Sequence, residues 1–195
     1  NAGPDPVISM HFLESPEERQ ALSLRQGPII DSYKTLGIDT GNMNPPADHT
    51  EIAMQLADKA SHLLLVHNTC ITRPEAEKIA GKGNVSWCLC PPSNIYITGT
   101  MPPAGMLEET AVEIVLGTDS LASNNSLSIL KEMKLLQDHF PHLGFETLVR
   151  WATYNGARAL GLDATKGSLA PGLTPGILLI ENMDLINMKL LPQSR

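Results

Sequence analysis

The sequence is poor in features that would place it at a membrane, outside the cell or on nucleic acid. It has no apolar run of membrane length. Leu63 to Val66 falls far short of the ~20 residues a spanning helix needs, so no membrane partner is expected. Asn1 to Pro6 has neither a basic stretch nor an apolar one and does not read as a signal peptide. Asn1-Ala2 reads as a tag scar, separate from the fold. Cysteines number only three. Cys88-Leu89-Cys90 is too tight to close on itself, and no second cysteine pair completes a zinc site. Reduced, buried thiols in a cytoplasmic protein are the expectation. Basic charge is also scarce: 14 Lys and Arg stand against 21 Asp and Glu, a formal net charge of −7. Such a chain repels phosphate backbones, which argues against nucleic acid but leaves a single nucleoside or base open. No Gly-x-Gly-x-x-Gly or phosphate-binding Gly-Lys-Ser/Thr loop follows any strand, and there is no internal repeat.

What is present suits one globular core. Hydrophobic residues make up 42% of the 195 and charged residues 18%. Short apolar runs alternate with longer amphipathic ones, the pattern of βα units and a parallel sheet. Strands are expected at Val7 to Leu13, Leu63 to His67, Val85 to Cys90 and Ala111 to Leu116. Ile177 to Ile180 is a further strand-like run. Helices are expected at Thr50 to Lys59, Asn125 to Gln137, Phe145 to Thr153 and Asn155 to Leu160. Two more start at capping boxes, Ser15-Pro16-Glu17-Glu18 and Thr72-Arg73-Pro74-Glu75, the second stopping near Gly81. Pro91-Pro92 reads as a turn. Four strand–helix units are half of a (β/α)8 barrel, which takes ~250 residues. A four-strand doubly wound sheet has the same periodicity.

In parallel α/β folds functional groups collect at the carboxyl ends of strands. Those ends read His11-Phe12-Leu13-Glu14, Val66-His67-Asn68, Cys90-Pro91-Pro92-Ser93-Asn94 and Gly117-Thr118-Asp119-Ser120. Two histidines and an aspartate thus fall at three strand ends, and imidazole with carboxylate suits zinc or another first-row divalent ion. Ser93 and Asn94 read as loop-shaping residues. His49, His62, His139 and His142 fall in loops or on helices and read as structural.

Together these segments resemble the amidohydrolase superfamily. The likeness rests on His11-x-x-Glu14, Leu65-Val66-His67-Asn68, Cys90 to Asn94, and the run Leu116 to Asn124. Asn155-Gly156-Ala157-Arg158-Ala159-Leu160-Gly161 and Gly167 to Gly172 extend it over nearly the whole chain. The branch it is similar to holds the cytosine, adenosylhomocysteine and aminofutalosine deaminases and the chlorohydrolases. The resemblance implies the C-terminal half of a TIM-like barrel over residues 3–163, equivalent to strands five to eight. The tail, 164–195, would belong to a composite β-sandwich. It further implies that His11 and Asp119 ligate a divalent metal, zinc before iron. Asp119 would also shuttle a proton from the attacking water. His67 would orient and polarise the substrate, and Glu14 would protonate or hydrogen-bond a ring nitrogen. The reaction would release ammonia or chloride from a nucleoside- or base-like small molecule.

The sequence departs from that pattern in one respect that bears on chemistry. The family's other ligands form a His-x-His pair on its first barrel strand, and no His-x-His occurs here. The chain also opens almost on the strand-five motif. It therefore reads as part of a longer enzyme, with an incomplete metal site and no turnover of its own. A half barrel exposes sheet edges and an inner face, so a homo-oligomer is expected. The alternative readings are a noncatalytic assembly or interaction domain and a small doubly wound binding domain.

Overall fold

The computed structural model describes residues 6–41 and 48–195. The suspected tag scar, Asn1-Ala2, lies outside the described residues. The elements in chain order are β1 (Val7–Phe12), α1 (Pro16–Leu24), α2 (Pro28–Thr35), α3 (His49–Ala57) and β2 (His62–His67). There follow α4 (Arg73–Ala80), β3 (Val85–Leu89), α5 (Pro91–Thr98), α6 (Ala104–Glu108) and β4 (Glu113–Leu116). Last come α7 (Ile129–His139), α8 (Phe145–Ala152) and α9 (Tyr154–Ala159).

The four strands form one parallel sheet in the order β1-β2-β3-β4. Spatial order equals sequence order. A doubly wound sheet reverses its strand order at a switch point, and here there is none. The chain is therefore α/β with half of a TIM-like (β/α)8 barrel.

The register separates two faces. Met10 pairs with Leu65, Leu65 with Trp87, and Trp87 with Ile114. That row faces the helices; Leu65, Trp87 and Ile114 are buried and Met10 partly so, with buried Leu63, Val85 and Leu89 beside them. Ala53 and Ala57 of α3, Ile79 of α4, Leu136 of α7, and Leu148 and Trp151 of α8 complete the core. Each fully buried Leu or Ile there contributes roughly 1.5–3 kcal/mol. The buried indole of Trp87 keeps a polar partner, donating to Thr110 Oγ1 at 3.1 Å. The opposite face carries Val7, Ser9 and His11, all exposed, and the half-buried Leu64, Val66 and Cys88.

Three local expectations change. Pro91-Pro92 starts helix α5 rather than a turn, because proline fits the first helical positions, where no N–H is required. Ser15 caps α1 as expected, accepting from Glu18 N at 3.2 Å. The Glu18 carboxylate, however, accepts from the N–H groups of Leu13 and Glu14, at 3.0 and 2.7 Å. Leu13 is left-handed, φ 50°, which turns those two N–H groups towards the helix start. Finally, Ile177 to Ile180 forms no strand; Ile177 is 88% exposed. A strand needs a partner, and the described tail forms only the isolated bridge Asp184–Lys189. The tail is anchored at Leu190, whose backbone N–H and C=O both bond the Gln137 amide, at 2.9 and 2.8 Å.

No helix among the described residues is long and apolar enough to cross a membrane.

Candidate functional site at the carboxyl ends of the strands

Three strands deliver the predicted residues to one end of the sheet. β1 ends on His11-Phe12 and leads to Glu14, β2 ends on His67, and β4 leads through Gly117 to Asp119. The chain leaves each strand abruptly. Leu13, His67, Asn68 and Asp119 are all non-glycine residues at positive φ, 50°, 79°, 57° and 56°. That region is sterically disfavoured for L residues and persists only where surrounding contacts impose it. At Asn68 the contacts are explicit: its N–H donates to Phe12 O at 2.9 Å and its side-chain amide to Leu65 O at 2.6 Å.

The turn at His67 brings its ring, 1% exposed, beside both predicted groups of β1. The His11 and His67 ring centroids are 5.2 Å apart, with planes tilted by 31°. His67 Nε2 lies 3.4 Å from Glu14 Oε1. Burial disfavours the imidazolium and lowers the His67 pKa, against the pull of the Glu14 charge.

Asp119 is held as a carboxylate. Oδ2 accepts from Ser93 and Ser123, each at 2.7 Å, and Oδ1 from the Ser120 N–H at 2.7 Å. Burial alone would raise its pKa. The two hydroxyls, the N–H and the nearby His67 outweigh burial and hold it below the usual carboxylate range.

Ser93 and Asn94 were expected only to shape a loop, yet both are fully buried against the site. Ser93 reaches Asp119. The Asn94 amide nitrogen lies 3.1 Å from His67 Nδ1 and donates to Thr69 Oγ1 at 2.7 Å. The available signal was positional. They follow the end of β3, the one strand end to which no chemistry was assigned.

Behind Asp119 a buried brace ties its loop to α7. Asn124 donates to Thr118 O at 2.7 Å and to Glu132 Oε1 at 2.9 Å. Glu132 is fully buried, its Oε2 has no partner, and burial pushes its pKa up to about 7. Gly117 is required by its neighbours: a Cβ there would meet Cys88 Sγ at 3.0 Å and Cys90 Sγ at 3.1 Å.

The donor chemistry fits part of a divalent-metal site. His11 presents an imidazole on the open sheet face, and Asp119 an ionised carboxylate at the same end. Catalytic zinc usually takes three protein ligands. Among the described residues no group of three His, Cys, Asp or Glu side chains is close enough to hold an ion.

Known proteins share the fold and much of the sequence. The amidohydrolase family model matches residues 8–190. A 5-methylthioadenosine/S-adenosylhomocysteine deaminase of Pyrococcus abyssi is 36% identical over 193 residues, covering 95% of this chain and 40% of that enzyme. A solved aminofutalosine deaminase of Helicobacter pylori, in complex with methylthio-coformycin, superposes with a TM-score of 0.67 at 28% identity, over 78% of this chain and 38% of its own. An adenosine deaminase from Xanthomonas campestris with bound zinc gives 0.59 at 29% identity, over 85% of this chain and 35% of its own. The chain spans well under half the length of the curated relatives it matches, 32% of one and 40% of another. With the parallel half barrel and the polar cluster at its strand ends, the match over residues 8–190 makes this chain a member of the amidohydrolase family.

Proposed function

We propose that this chain carries the substrate-facing half of the active site of a metal-dependent nucleoside deaminase. The observation that supports this most is the meeting of Glu14, His67 and Asp119 at one end of the sheet. The relatives' substrates, named as methylthioadenosine and adenosylhomocysteine, point to a purine amidine, with ammonia rather than chloride released.

His11 and Asp119 would hold the divalent ion, with zinc favoured by the zinc-bound relative. When bound, such an ion supplies hydroxide at neutral pH by lowering the pKa of water to ~7. The residues do the rest. Asp119, kept ionised by Ser93 and Ser123, takes the proton of the attacking water. Glu14 takes the water's second proton and gives it to the ring nitrogen beside the attacked carbon. His67 stays neutral and hydrogen-bonds the oxygen that becomes negative as the carbon turns tetrahedral. Asp119 passes its proton to the amino group, the carbon–nitrogen bond breaks, and ammonia leaves the lactam. Two ligands on this chain are too few for turnover, so the chain alone is inactive. Its three cysteines are all free thiols, which supports a reducing, cytoplasmic setting.

A chimera tests the reading. These 195 residues replace the matching part of the Pyrococcus abyssi relative, and ammonia release from methylthioadenosine is followed. Deamination that Asp119→Asn abolishes is the expected result. A folded, zinc-loaded chimera with no deaminase activity would overturn the proposal.

A further inference from the structure

The relation between Glu14, His67 and Asn94 fixes more than distance. A neutral imidazole has one N–H and one lone pair, and which nitrogen carries the proton is set by what each nitrogen faces. Nε2 faces the Glu14 carboxylate at 3.4 Å. An ionised carboxylate only accepts, so a lone pair on Nε2 would be repelled there and a proton attracted. Nδ1 must then be the acceptor and needs a donor. Asn94 Nδ2 lies 3.1 Å from it and is the donor at that position. The other N–H of the same amide goes to Thr69 Oγ1 at 2.7 Å, which orients the group.

The reverse arrangement fails at the other nitrogen. Turning the Asn94 amide over would set its oxygen against Nδ1 and require Nδ1–H. Nε2 would then point a lone pair at a carboxylate oxygen. The cost of the observed orientation is visible, since Asn94 Oδ1 is buried with no partner. An amide that leaves its oxygen unsatisfied while both N–H bonds are used is oriented for donation. All three side chains are removed from competing water: Asn94 and His67 are 0% and 1% exposed, and Thr69 is 7%.

We infer that Asn94 is a positioning residue that locks His67 as the Nε2–H tautomer, presenting a hydrogen-bond donor to the substrate side. Thr69 is its support. The inference rests on the deaminase reading only in saying what the Nε2 proton is for. The tautomer itself is a property of this chain without metal or substrate. A ring in the other tautomer would present a lone pair to the oxygen that becomes negative, and would repel it.

Long-range imidazole ¹H–¹⁵N spectra of the 195-residue chain, in mildly alkaline buffer and without added metal, decide the matter. His67→Gln assigns the signals. The expected wild-type spectrum has the upfield, protonated-type nitrogen shift at Nε2 and the downfield, lone-pair shift at Nδ1. Asn94→Asp replaces the donor with an acceptor of the same shape, and the Nδ1 shift should move upfield as it gains a proton. If that variant loses its dispersed spectrum, Thr69→Val takes its place. Freed of its support, the amide can turn, and the pure Nε2–H pattern should be lost. An Nδ1–H tautomer in the wild type overturns the inference, as does an unchanged His67 pattern in the folded variant used. An inactive chimera would sink the deaminase reading and leave these spectra standing. The wrong tautomer in a chain whose chimera deaminates would sink this inference alone.

Discussion

Ser93 Oγ, in the first turn of α5, lies 2.7 Å from Asp119 Oδ2, beyond the end of β4. The same carboxylate oxygen takes the Ser123 hydroxyl at 2.7 Å, and the two serine oxygens are 2.8 Å apart. Each hydroxyl has one proton, and the carboxylate draws both. The contact joins two neighbouring βα units through a single oxygen.

Removing those donors should weaken both the fold and the charge. Hydrogen bonds to charged groups contribute about 1.5–3 kcal/mol, and partial exposure places Asp119 at the low end of that range. Ser93→Ala with Ser123→Ala is expected to cost about 1–3 kcal/mol in urea unfolding and to raise the Asp119 pKa. A depressed carboxylate stabilises the fold above its unfolded pKa and loses that contribution as pH falls. The double variant should therefore show a flatter acid limb in stability against pH. An acid limb identical to wild type would contradict the role given to the two serines.

Glu132 predicts a slope of the opposite sign. Its folded pKa, about 7, lies above the 4.5 of an ordinary glutamate. Between those values the folded state holds the extra proton, so stability must fall as pH rises. The full window corresponds to about 3 kcal/mol, at 1.36 kcal/mol per pH unit. Glu132→Gln keeps a group able to accept from Asn124 and removes the ionisation. Urea midpoints from pH 5 to pH 8 should decline in wild type relative to Glu132→Gln. Parallel curves would show that Glu132 ionises without penalty.

Gly117→Ala should disturb the site from beneath. The added methyl would press on the sulfurs of half-buried Cys88 and buried Cys90, and overpacking of this kind costs typically ~1–3 kcal/mol. A loss of thermal stability is expected, with partial recovery when Cys90→Ala is added to make room. Equal stability of Gly117→Ala and wild type would mean that the thiols move freely.

Metal content gives an independent measure of the partial site. After equilibration with zinc and gel filtration, the chain alone should retain well under one equivalent, and Asp119→Asn less. The chimera should retain about one. Tight stoichiometric zinc on the chain alone, read by elemental analysis, would show that further ligands exist on it.

The open sheet face should also drive association. Val7, Ser9 and His11 are exposed on a strand whose outer edge is unpaired among the described residues. Light scattering at micromolar concentration should report a mass above the 21.1 kDa of one chain. A stable monomer would mean that this face tolerates water.

Most of the sheet was legible because period and punctuation agree in each βα unit. His11, His67 and Asp119 could be placed because a strand end is a position in sequence as well as in space. Glu14, three positions past His11, came with the family resemblance rather than from the strand ends. The missed elements have weak local signals. α2 starts from glycine and α6 is five residues long, and neither has a capping side chain. α5 was hidden by its two prolines, which read as a stop when they are a start. Ser93 and Asn94 were hidden with it, since their role depends on His67 and Asp119 lying 26 or 27 positions away. The run Ile177 to Ile180 shows the converse error. Its composition is that of a strand, and composition cannot supply the neighbour that a strand requires.

The pairing of Phe12 with His67, one step beyond His11 with Val66, carries a consequence for how the histidine is aimed. Side chains alternate along a strand, so a slip of β1 by one residue would send every one of them to the opposite side. His11 would then enter the helix-covered core and Phe12, now 2% exposed, would face water. Nothing in the imidazole itself forbids this. The phenyl ring does, because it loses its apolar surroundings in the slipped alignment. The direction of a polar group at the mouth is thus decided by the greasy residue next to it. A substitution such as Phe12→Ser would misdirect His11 without touching it.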